Sequence, residues 1–559
     1  MNNSKRLLAL AVSAALAAPM AAYATNGMNL EGYGPIATGM GGASMAYDNG
    51  TAAVMNNPAT LGMMDDGSRL DVALGFLGPK VNASVKGNPA EWDSSSNSFF
   101  MPAVGYMKKK GDMAYGVGMF AQGGMGTEYD DQGGMYGASP GGAMSGMWIG
   151  NTSGDATNPS PTDMYTLLTT AHPNPAVGNL ADADPSGNSI GAAAGLAGAL
   201  KERSEVGVGR LVFPFVKNVG KLSVGGSVDY VWAGMDLQMA MAGDMMGSMM
   251  QSGAISGSLV NGMMGLMAYN PDGTYNTNNP FYNPLGAGGV APATAGIVGL
   301  NYGYFDFTDS SDYTGEAKGA GFAGKLGFTY KVNSKLNVGG TLHTKTSMSD
   351  LEASGAKVTM NVLFEDDYNG VVMQMPMTLT GTMKVVDFQW PQTIGLGASY
   401  QVNDKLMIAG DIKSIGWSDV MKDFKMSFTA DSSGNDFTQA GMPANAMNMN
   451  GASMDATMAQ DWENQTVIAI GGAYQVAPTT VVRAGYNKAS NPIPTDTVNY
   501  LFPAIQVTHY TLGVGHAFSK ADSVDFSLTM APEHTSDMGS SAEISMGQTN
   551  WQMMYSKKF

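Results

Sequence analysis

Charged side chains that alternate with apolar ones in short segments are the first residues here whose type and spacing could do chemistry. Because each lies on the face opposite to the apolar side chains of its segment, we expect all of them to point into one interior. They are Asp229, Lys325, His343, Lys345, Asp411, Lys413, Arg483 and Asp525. A basic group in such an interior could hold a carboxylate head group by a charge-assisted hydrogen bond. Lys345, Lys413 and Arg483 are therefore candidate ligand contacts. The alternative is ion pairing that stiffens a polar interior.

Methionines form a second candidate surface. The chain has 46 of them, and many fall between residues 235 and 267. Flexible, polarizable thioethers suit a surface that accepts apolar ligands of varied shape. Met245, Met249 and Met263 are thus candidate contacts of a capture groove, while packing of the long loops against each other is the alternative.

Catalytic and metal-binding motifs give no support to an enzyme. The sequence has no Gly-x-Ser-x-Gly elbow and no His-Glu-x-x-His pair, and it has no Cys to ligate a metal. The run from Asp182 to Gly187 begins like a calcium loop, but its twelfth position is Ala193 where a bidentate Glu is required. We therefore expect no catalytic residue, metal or cofactor.

The first residues favour export. Lys5 and Arg6 precede the apolar run 7–18, and Ala22-Tyr23-Ala24 supplies the small-x-small cleavage pattern. We predict a signal peptide over residues 1–24; a buried N-terminal helix is the alternative. No later window is long and apolar enough for a transmembrane helix. The net charge of −17 argues against a nucleic-acid partner.

The composition nonetheless favours a membrane protein. Only 13% of the residues are charged and Gly numbers 75, which is unusual for a large soluble chain. A transmembrane β-barrel resolves this, because its strands are apolar only at alternate positions. The segment from Lys221 is an example: Val224, Val228 and Tyr230 share one face, opposite Ser227 and Asp229. Such period-two alternation predicts strands.

Short and long connections alternate along the chain. The short ones are 108–112, 217–221, 332–335, 402–405, 476–479 and 519–522, and the long ones lie near 78–97, 122–204, 234–320, 348–379, 418–462, 488–504 and 532–547. Outer-membrane barrels have this arrangement of periplasmic turns and extracellular loops. We predict an all-β fold, an antiparallel barrel of about 14 strands over residues 67–559. Its last strand carries Trp551, Met553 and Tyr555 on one face and ends at Phe559, which resembles the signal read by the outer-membrane assembly machinery.

Residues 25–66 do not alternate. They are rich in Gly and Ala, which suits a compact segment with tight turns, although a flexible linker is the alternative. The motif that runs through them consists of Gly34, Gly39, Gly41, Gly42, Asp48, Asn57, Pro58 and Ala59.

This motif resembles the N-terminal hatch of the FadL/TodX family of outer-membrane transporters. Later fragments resemble the same family, namely 116–120 with 127–129, 400–406, 416–418, and 483–486 with 491–494. The resemblance implies a fourteen-stranded barrel plugged by the hatch. It also implies that the ligand leaves sideways, through a gap in the wall beside a kinked strand.

The function expected from these observations is passive transport of hydrophobic small molecules across the outer membrane. Long-chain fatty acids and hydrocarbons fit equally well. The expected surroundings are outer-membrane lipids, and we expect a monomer. A substrate-specific or general diffusion porin is the alternative, but it leaves the hatch unexplained; a barrel enzyme or adhesin would place its function in the loops.

Overall fold

The computed structural model describes residues 26–86, 91–129, 201–268, 270, 274–283, 293–310, 315–365, 372–438, 442, 444–539 and 542–559. The predicted signal peptide and the calcium-loop-like run at 182–193 lie outside these residues. None of the helices in the described ranges is long and apolar enough to cross a membrane.

Strands make up most of the described chain. They are β1 Gly67–Val85, β2 Glu91–Asp93, β3 Phe99–Lys110, β4 Met113–Tyr129, β5 Glu202–Val219, β6 Leu222–Ala242, β7 Ile255–Ser256, β8 Tyr282–Asn283, β9 Ala293–Thr294, β10 Gly296–Phe307, β11 Ala317–Lys331, β12 Leu336–His343, β13 Ser347–Met348, β14 Leu351–Glu365, β15 Val372–Val386, β16 Thr393–Gln401, β17 Leu406–Ile415, β18 Asp423–Ala430, β19 Ser453–Ala459, β20 Gln465–Ala477, β21 Thr480–Ala489, β22 Thr508–Ala517, β23 Asp522–Met538 and β24 Ala542–Lys558. The helices are short: α1 Pro35–Thr38, α2 Ala53–Asn56, α3 Gly243–Ser252 and α4 Ser258–Gly265, with 3₁₀ turns at Pro58–Met63 and Trp417–Asp419.

Antiparallel pairing closes these strands into a barrel. One circuit runs β1, β3, β4, β5, β6, β11, β12, β16, β17, β20, β21, β22, β23 and β24, and β24 pairs with β1 from Arg69–Lys558 to Val85–Ala542. Within the described residues the whole sheet has 22 strands. The sheet is larger than the sequence predicted, because additional strands continue beyond the circuit at the end of the barrel that carries the long loops. This end is called the loop end below. The predicted fold class, a closed antiparallel barrel, is confirmed.

The two faces of the wall follow the alternation of the sequence. Large apolar side chains project outward and are more than half exposed at Val228, Phe322 and Leu326. Their neighbours Asp229 and Lys325 point inward and are buried. An apolar exterior facing lipid over a polar interior is the arrangement of an outer-membrane barrel.

All six predicted turns lie where the structure has them, for example between β3 and β4 at residues 111–112. The predicted loops are wrong in extent, since β4 continues to Tyr129, β6 to Ala242 and β23 to Met538. In the extension of β23 polar side chains face outward, as at Glu533 and Asp537, while the extensions of β4 and β6 are buried on both faces, as at Thr127 and Asp236. They therefore lack the outward apolar face that identifies a membrane strand in the sequence.

A second ladder forms at the loop end. It runs from β6 through β10, β14, β15, β18 and β19 to β7, which belongs to the same insert as α3 and α4. Its outer face is polar and exposed, with Lys357, Thr380 and Lys384. Its inner face is buried and rich in methionine: Met360, Met377, Met383, Met426, Met454 and Met458.

Candidate functional site

The hatch lies inside the barrel and its body is tied to the wall by hydrogen bonds. A carboxylate oxygen of Asp411 on β17 accepts from the backbone N–H of Ser44 at 2.6 Å and of Met45 at 3.2 Å. The backbone N–H of Gly41 donates to Oγ1 of Thr511 at 2.9 Å, and Nδ2 of Asn487 donates to the carbonyl of Gly41 at 3.0 Å. These contacts fix the middle of the hatch against β17, β21 and β22.

Gly41 explains why the hatch motif needs glycine. Its φ is 70°, and a β-carbon there would lie 2.7 Å from the backbone nitrogen of Tyr486. On the wall, a β-carbon at Gly485 would lie 2.1 Å from the nitrogen of Gly41. Glycines therefore face each other where the two backbones meet, and side chains would force them apart.

The other motif residues also hold the hatch in shape. Asn57 donates from Nδ2 to the carbonyl of Phe328 on β11 at 3.0 Å and accepts the N–H of Ala59 at 3.1 Å. Pro58 occupies the first position of the 3₁₀ turn, and the carbonyl of Ala59 accepts from Oγ of Ser223 at 2.9 Å. The remaining members contribute backbone geometry or pairing: Gly34 at φ 81°, Gly42 at φ 85°, Gly39 close to Gly513, and Asp48, whose carboxylate is 3.7 Å from Arg69.

Two exposed carboxylates make hydrogen bonds at the end of the barrel where the short turns lie. Asp66, where the hatch meets β1, accepts from the N–H of Gly111 at 3.0 Å and from Lys109 at 3.2 Å. These bonds, the backbone one first, hold the pKa of Asp66 below its usual value. The hydrogen bond from Lys217 likewise lowers the pKa of Asp112.

The wall has an opening between β3 and β4. Their ladder ends at Val104 and Met119, although β3 continues five residues further to Phe99 and β4 ten residues further to Tyr129. The two edges meet again only at the loop end, where the N–H of Ser95 donates to the carbonyl of Glu128 at 2.8 Å. Within the opening β4 shifts register against β5 between Ala121 and Gly123. Strand β4 is thus irregular at the height of the gap.

The first residues of the hatch lie against this irregular stretch. The hydroxyl of Tyr33 donates to the carbonyl of Gln122 at 2.7 Å, and the N–H of Gly124 donates to the carbonyl of Met28 at 3.2 Å. Nε1 of Trp390 donates to Oδ1 of Asn29 at 2.7 Å.

Two cavities meet at the same residues. The first lies between the hatch and the inner faces of β1, β3 and β24, and Ala103, Phe120 and Ala121 at the opening line it. The second lies on the lumen side, lined among others by Asn29, Met55, His343, Lys413 and Ile415. Leu30 and Tyr33 line both. These two side chains separate the lumen from the wall opening.

Charged groups in the lumen pair with one another. Asp229 on β6 accepts from Arg210 at 2.8 Å and from Nζ of Lys325, and all three are buried. Nε2 of His343 is 3.0 Å from the carbonyl oxygen of Asn56 in the hatch. This cluster supports the ion-pairing alternative for Asp229 and Lys325.

The three basic residues predicted to bind ligand do not come together. Lys413 lines the lumen cavity, but its Nζ donates to the carbonyls of Gly42 at 2.8 Å and Glu31 at 3.3 Å. Arg483 pairs with Asp525 at 2.8 Å. The prediction that Lys345 points into the interior is wrong, because β12 ends at His343 and the side chain of Lys345 is exposed beyond it.

The predicted methionines lie in the insert between β6 and β10. Met245 and Met249 on α3 and Met263 on α4 are buried in the same hydrophobic cluster as the inner face of the loop-end ladder. Helix α3 packs against β10, and β7 pairs with β19 through Ile255 and Ala456. The insert thus lies over the mouth of the barrel, and its buried side chains are rich in methionine.

A second segment that packs into the mouth of the barrel was not predicted from the sequence. Segment 490–507 folds inward, burying Val498 and Leu501. The carbonyl of Tyr500 accepts from Thr127 and Tyr129 on β4, each at 3.1 Å, and its hydroxyl donates to Glu202 at 2.7 Å. The sequence predicted a long connection near residues 488–504, but nothing in it shows where this segment docks.

No cluster of three or more His, Asp or Glu in the described part of the chain could hold a metal ion.

Residues 219–558 match the family described as outer membrane protein transport protein (OMPP1/FadL/TodX). The toluene transporter TodX of P. putida is 23% identical in sequence with a TM-score of 0.64, over 95% of this chain and 99% of that one. The toluene transporter TbuX of Ralstonia pickettii is 25% identical with a TM-score of 0.62, over the same shares of both chains.

One curated relative matches a short part of the chain. It is a Chlorobium limicola protein described as uncharacterized, in the phosphoenolpyruvate carboxykinase gene 5′ region. The two are 52% identical over 67 residues, which are 12% of this chain and 32% of that protein.

Proposed function

The chain belongs to the OMPP1/FadL/TodX family of outer-membrane transport proteins, and from that premise we propose that it carries small hydrocarbons, in particular monoaromatic hydrocarbons, from the cell surface into the membrane. Transport is passive and follows the concentration gradient. The observation that carries the proposal is the apolar cavity held between the hatch and the open β3–β4 ladder.

The proposed route has three stages. A ligand enters the methionine-rich mouth, reaches the lumen cavity, and passes Leu30 and Tyr33 into the cavity behind the wall. It leaves between Ala103 on β3 and Ala121 on β4. Lateral release suits an oily molecule, because exposing it to periplasmic water would cost about 0.8 kcal/mol per CH₂. The hatch, whose body is bonded to the wall, blocks the straight path that a porin would use.

The substrate class is proposed from the basic groups and from the relatives. Lys413 donates to hatch carbonyls and Arg483 pairs with Asp525. Neither side chain is therefore well placed to bind the carboxylate head group of a fatty acid. TodX and TbuX carry the name toluene transporter. A neutral hydrocarbon needs no charged partner and is the better fit.

Capture at the mouth is proposed for Met245, Met249 and Met263. Thioether side chains can repack around ligands of different shape. Deleting residues 243–265, which contain α3, β7 and α4, should lower uptake most at low ligand concentration and leave the gel mobility shift on heating intact. Normal uptake by a folded deletion variant would leave these residues with a packing role only.

The test of the function is uptake by cells that lack other hydrocarbon channels. Uptake of labelled toluene by cells expressing the chain should exceed that of cells carrying the empty vector by a larger factor than uptake of labelled oleate does. Planar bilayers containing the purified protein should show no steady conductance. Large steady currents would instead favour the porin alternative, and faster oleate uptake would favour fatty acids.

A further inference from the structure

Three tryptophans form a continuous aromatic row in the barrel mouth. Trp390, Trp417 and Trp462 come from three different connections and are buried. The ring centres of Trp390 and Trp417 are 5.8 Å apart at 70°, and those of Trp417 and Trp462 are 5.3 Å apart at 67°. Edge-to-face packing at these distances is the favourable geometry for aromatic rings.

The start of the hatch covers part of this row. Gly27 has φ 62°, and a β-carbon there would lie 2.6 Å from Nε1 and 2.9 Å from Cζ2 of Trp417. Its backbone therefore touches the indole directly. Trp390 is held on one side by Asn29 and on the other by Gly123 of β4, where a β-carbon would lie 2.8 Å from Cζ2.

The covering segment is bonded to the wall mainly at its Met28–Asn29 end. Asn29 accepts from Trp390 and Gln122, and Met28 accepts from Gly124, whereas Asn26 bonds back to Asn29, at 2.9 and 3.1 Å between their backbones. Oδ1 of Asn26 is buried with no hydrogen-bond partner among the described residues. A buried amide oxygen without a partner costs free energy, so displacing Asn26 and Gly27 is cheaper than displacing the hatch body.

The lumen cavity opens beside the same contacts. Asn26, Asn29 and Leu30 line it, together with Ile415, two residues before Trp417. The covering segment thus lines the cavity through Asn26 and contacts the tryptophan row through Gly27.

We propose that Trp390 and Trp417 form a seat for one planar aromatic ring, and that the ring takes the place of Gly27 against Trp417. The inference rests on the proposed function and specifies its substrate: the channel distinguishes planar rings from saturated hydrocarbons of equal size. A saturated ring lacks the quadrupole that makes edge-to-face contacts with indole favourable.

The test is equilibrium binding of toluene and of methylcyclohexane, matched in carbon number, to the purified protein in detergent. Wild type should bind toluene about fivefold more tightly, a ratio typical of one aromatic contact. Trp417→Leu should abolish this preference and Trp417→Phe should retain part of it. Trp551→Leu, which removes a tryptophan that stacks on Phe76 in the outer wall, is the matched control and should change nothing. Deleting residues 26–28 should tighten toluene binding, because it uncovers the seat.

Equal affinity of wild type for the two ligands would overturn the seat, as would a Trp417→Leu variant that keeps the preference. If Trp417→Leu does not fold, Trp417→Phe and the deletion decide the matter. Binding is measured without transport, so failure of the seat is distinguishable from failure of the function. Equal uptake of the two hydrocarbons by cells would support the proposed function and contradict the aromatic seat.

Discussion

The hydroxyl of Tyr33 donates a 2.7 Å hydrogen bond to the backbone carbonyl of Gln122, and so joins the hatch to the irregular stretch of β4. Tyr33 lines both cavities, so it is one of the two side chains on the proposed route of the ligand. The bond therefore holds the barrier between lumen and wall opening in place.

Tyr33→Phe should speed transport. Loss of one hydrogen bond of about 1 kcal/mol raises the population of a displaced side chain roughly fivefold. The initial rate of toluene uptake should rise by up to that factor. Tyr47→Phe is the matched control, because the hydroxyl of Tyr47 bonds to Ala43 within the hatch. An unchanged rate in Tyr33→Phe would show that this contact does not limit passage.

Asp411→Ala should loosen the hatch body. The carboxylate accepts two backbone N–H groups of the hatch, and each such charged bond contributes about 1.5–3 kcal/mol. We expect brief conductance events in planar bilayers that wild type lacks. Asp423→Ala, on the partly exposed end of β18, serves as control. A silent Asp411→Ala channel would mean that the glycine contacts alone secure the hatch.

Asp229→Ala should destabilise the barrel. It leaves Arg210 and Lys325 buried without their shared carboxylate, and breaking a buried pair costs about 3–5 kcal/mol. The urea midpoint of unfolding in detergent should fall clearly. Removing Lys325 as well should recover part of the loss, because one cation and its partner then disappear together. A double variant no more stable than the single one contradicts the ion-pair role.

Lys413→Ala should affect a fatty acid and a neutral hydrocarbon alike. Its ammonium group donates to the carbonyls of Gly42 and Glu31, so the substitution perturbs the hatch and not a head-group site. Uptake of labelled oleate and toluene should therefore change in the same direction and by the same factor. A selective loss of oleate uptake would restore the carboxylate-binding role.

The sequence predicted the barrel well, because period-two alternation and the sorting of short and long connections are local signals. The Gly- and Ala-rich composition of residues 25–66 left a flexible linker open, and the hatch was predicted from the resemblance of its motif to the FadL/TodX family. Lys345 was misjudged because parity holds only while a strand lasts, and β12 ends at His343.

The family resemblance implied a gap in the wall, but its position between β3 and β4 and the tryptophan row could not be predicted, since both depend on contacts between distant parts of the chain. Gln122 and Trp390 meet Asn29 and Tyr33 only after the barrel closes around the hatch. The loop-end strands escaped detection for a different reason. Their apolar side chains point inward, as at Met377, so the outward face reads as a polar loop.

Lateral exit is the central claim, and the chain, which has no native Cys, allows a direct test. In an Ala103→Cys variant a bulky, uncharged methanethiosulfonate reagent should attach beside the opening, with Ala484→Cys on the lipid face of β21 as control. We predict that modified Ala103→Cys takes up toluene no faster than cells without the channel and recovers after reduction. Undiminished uptake by fully modified Ala103→Cys protein would contradict the account.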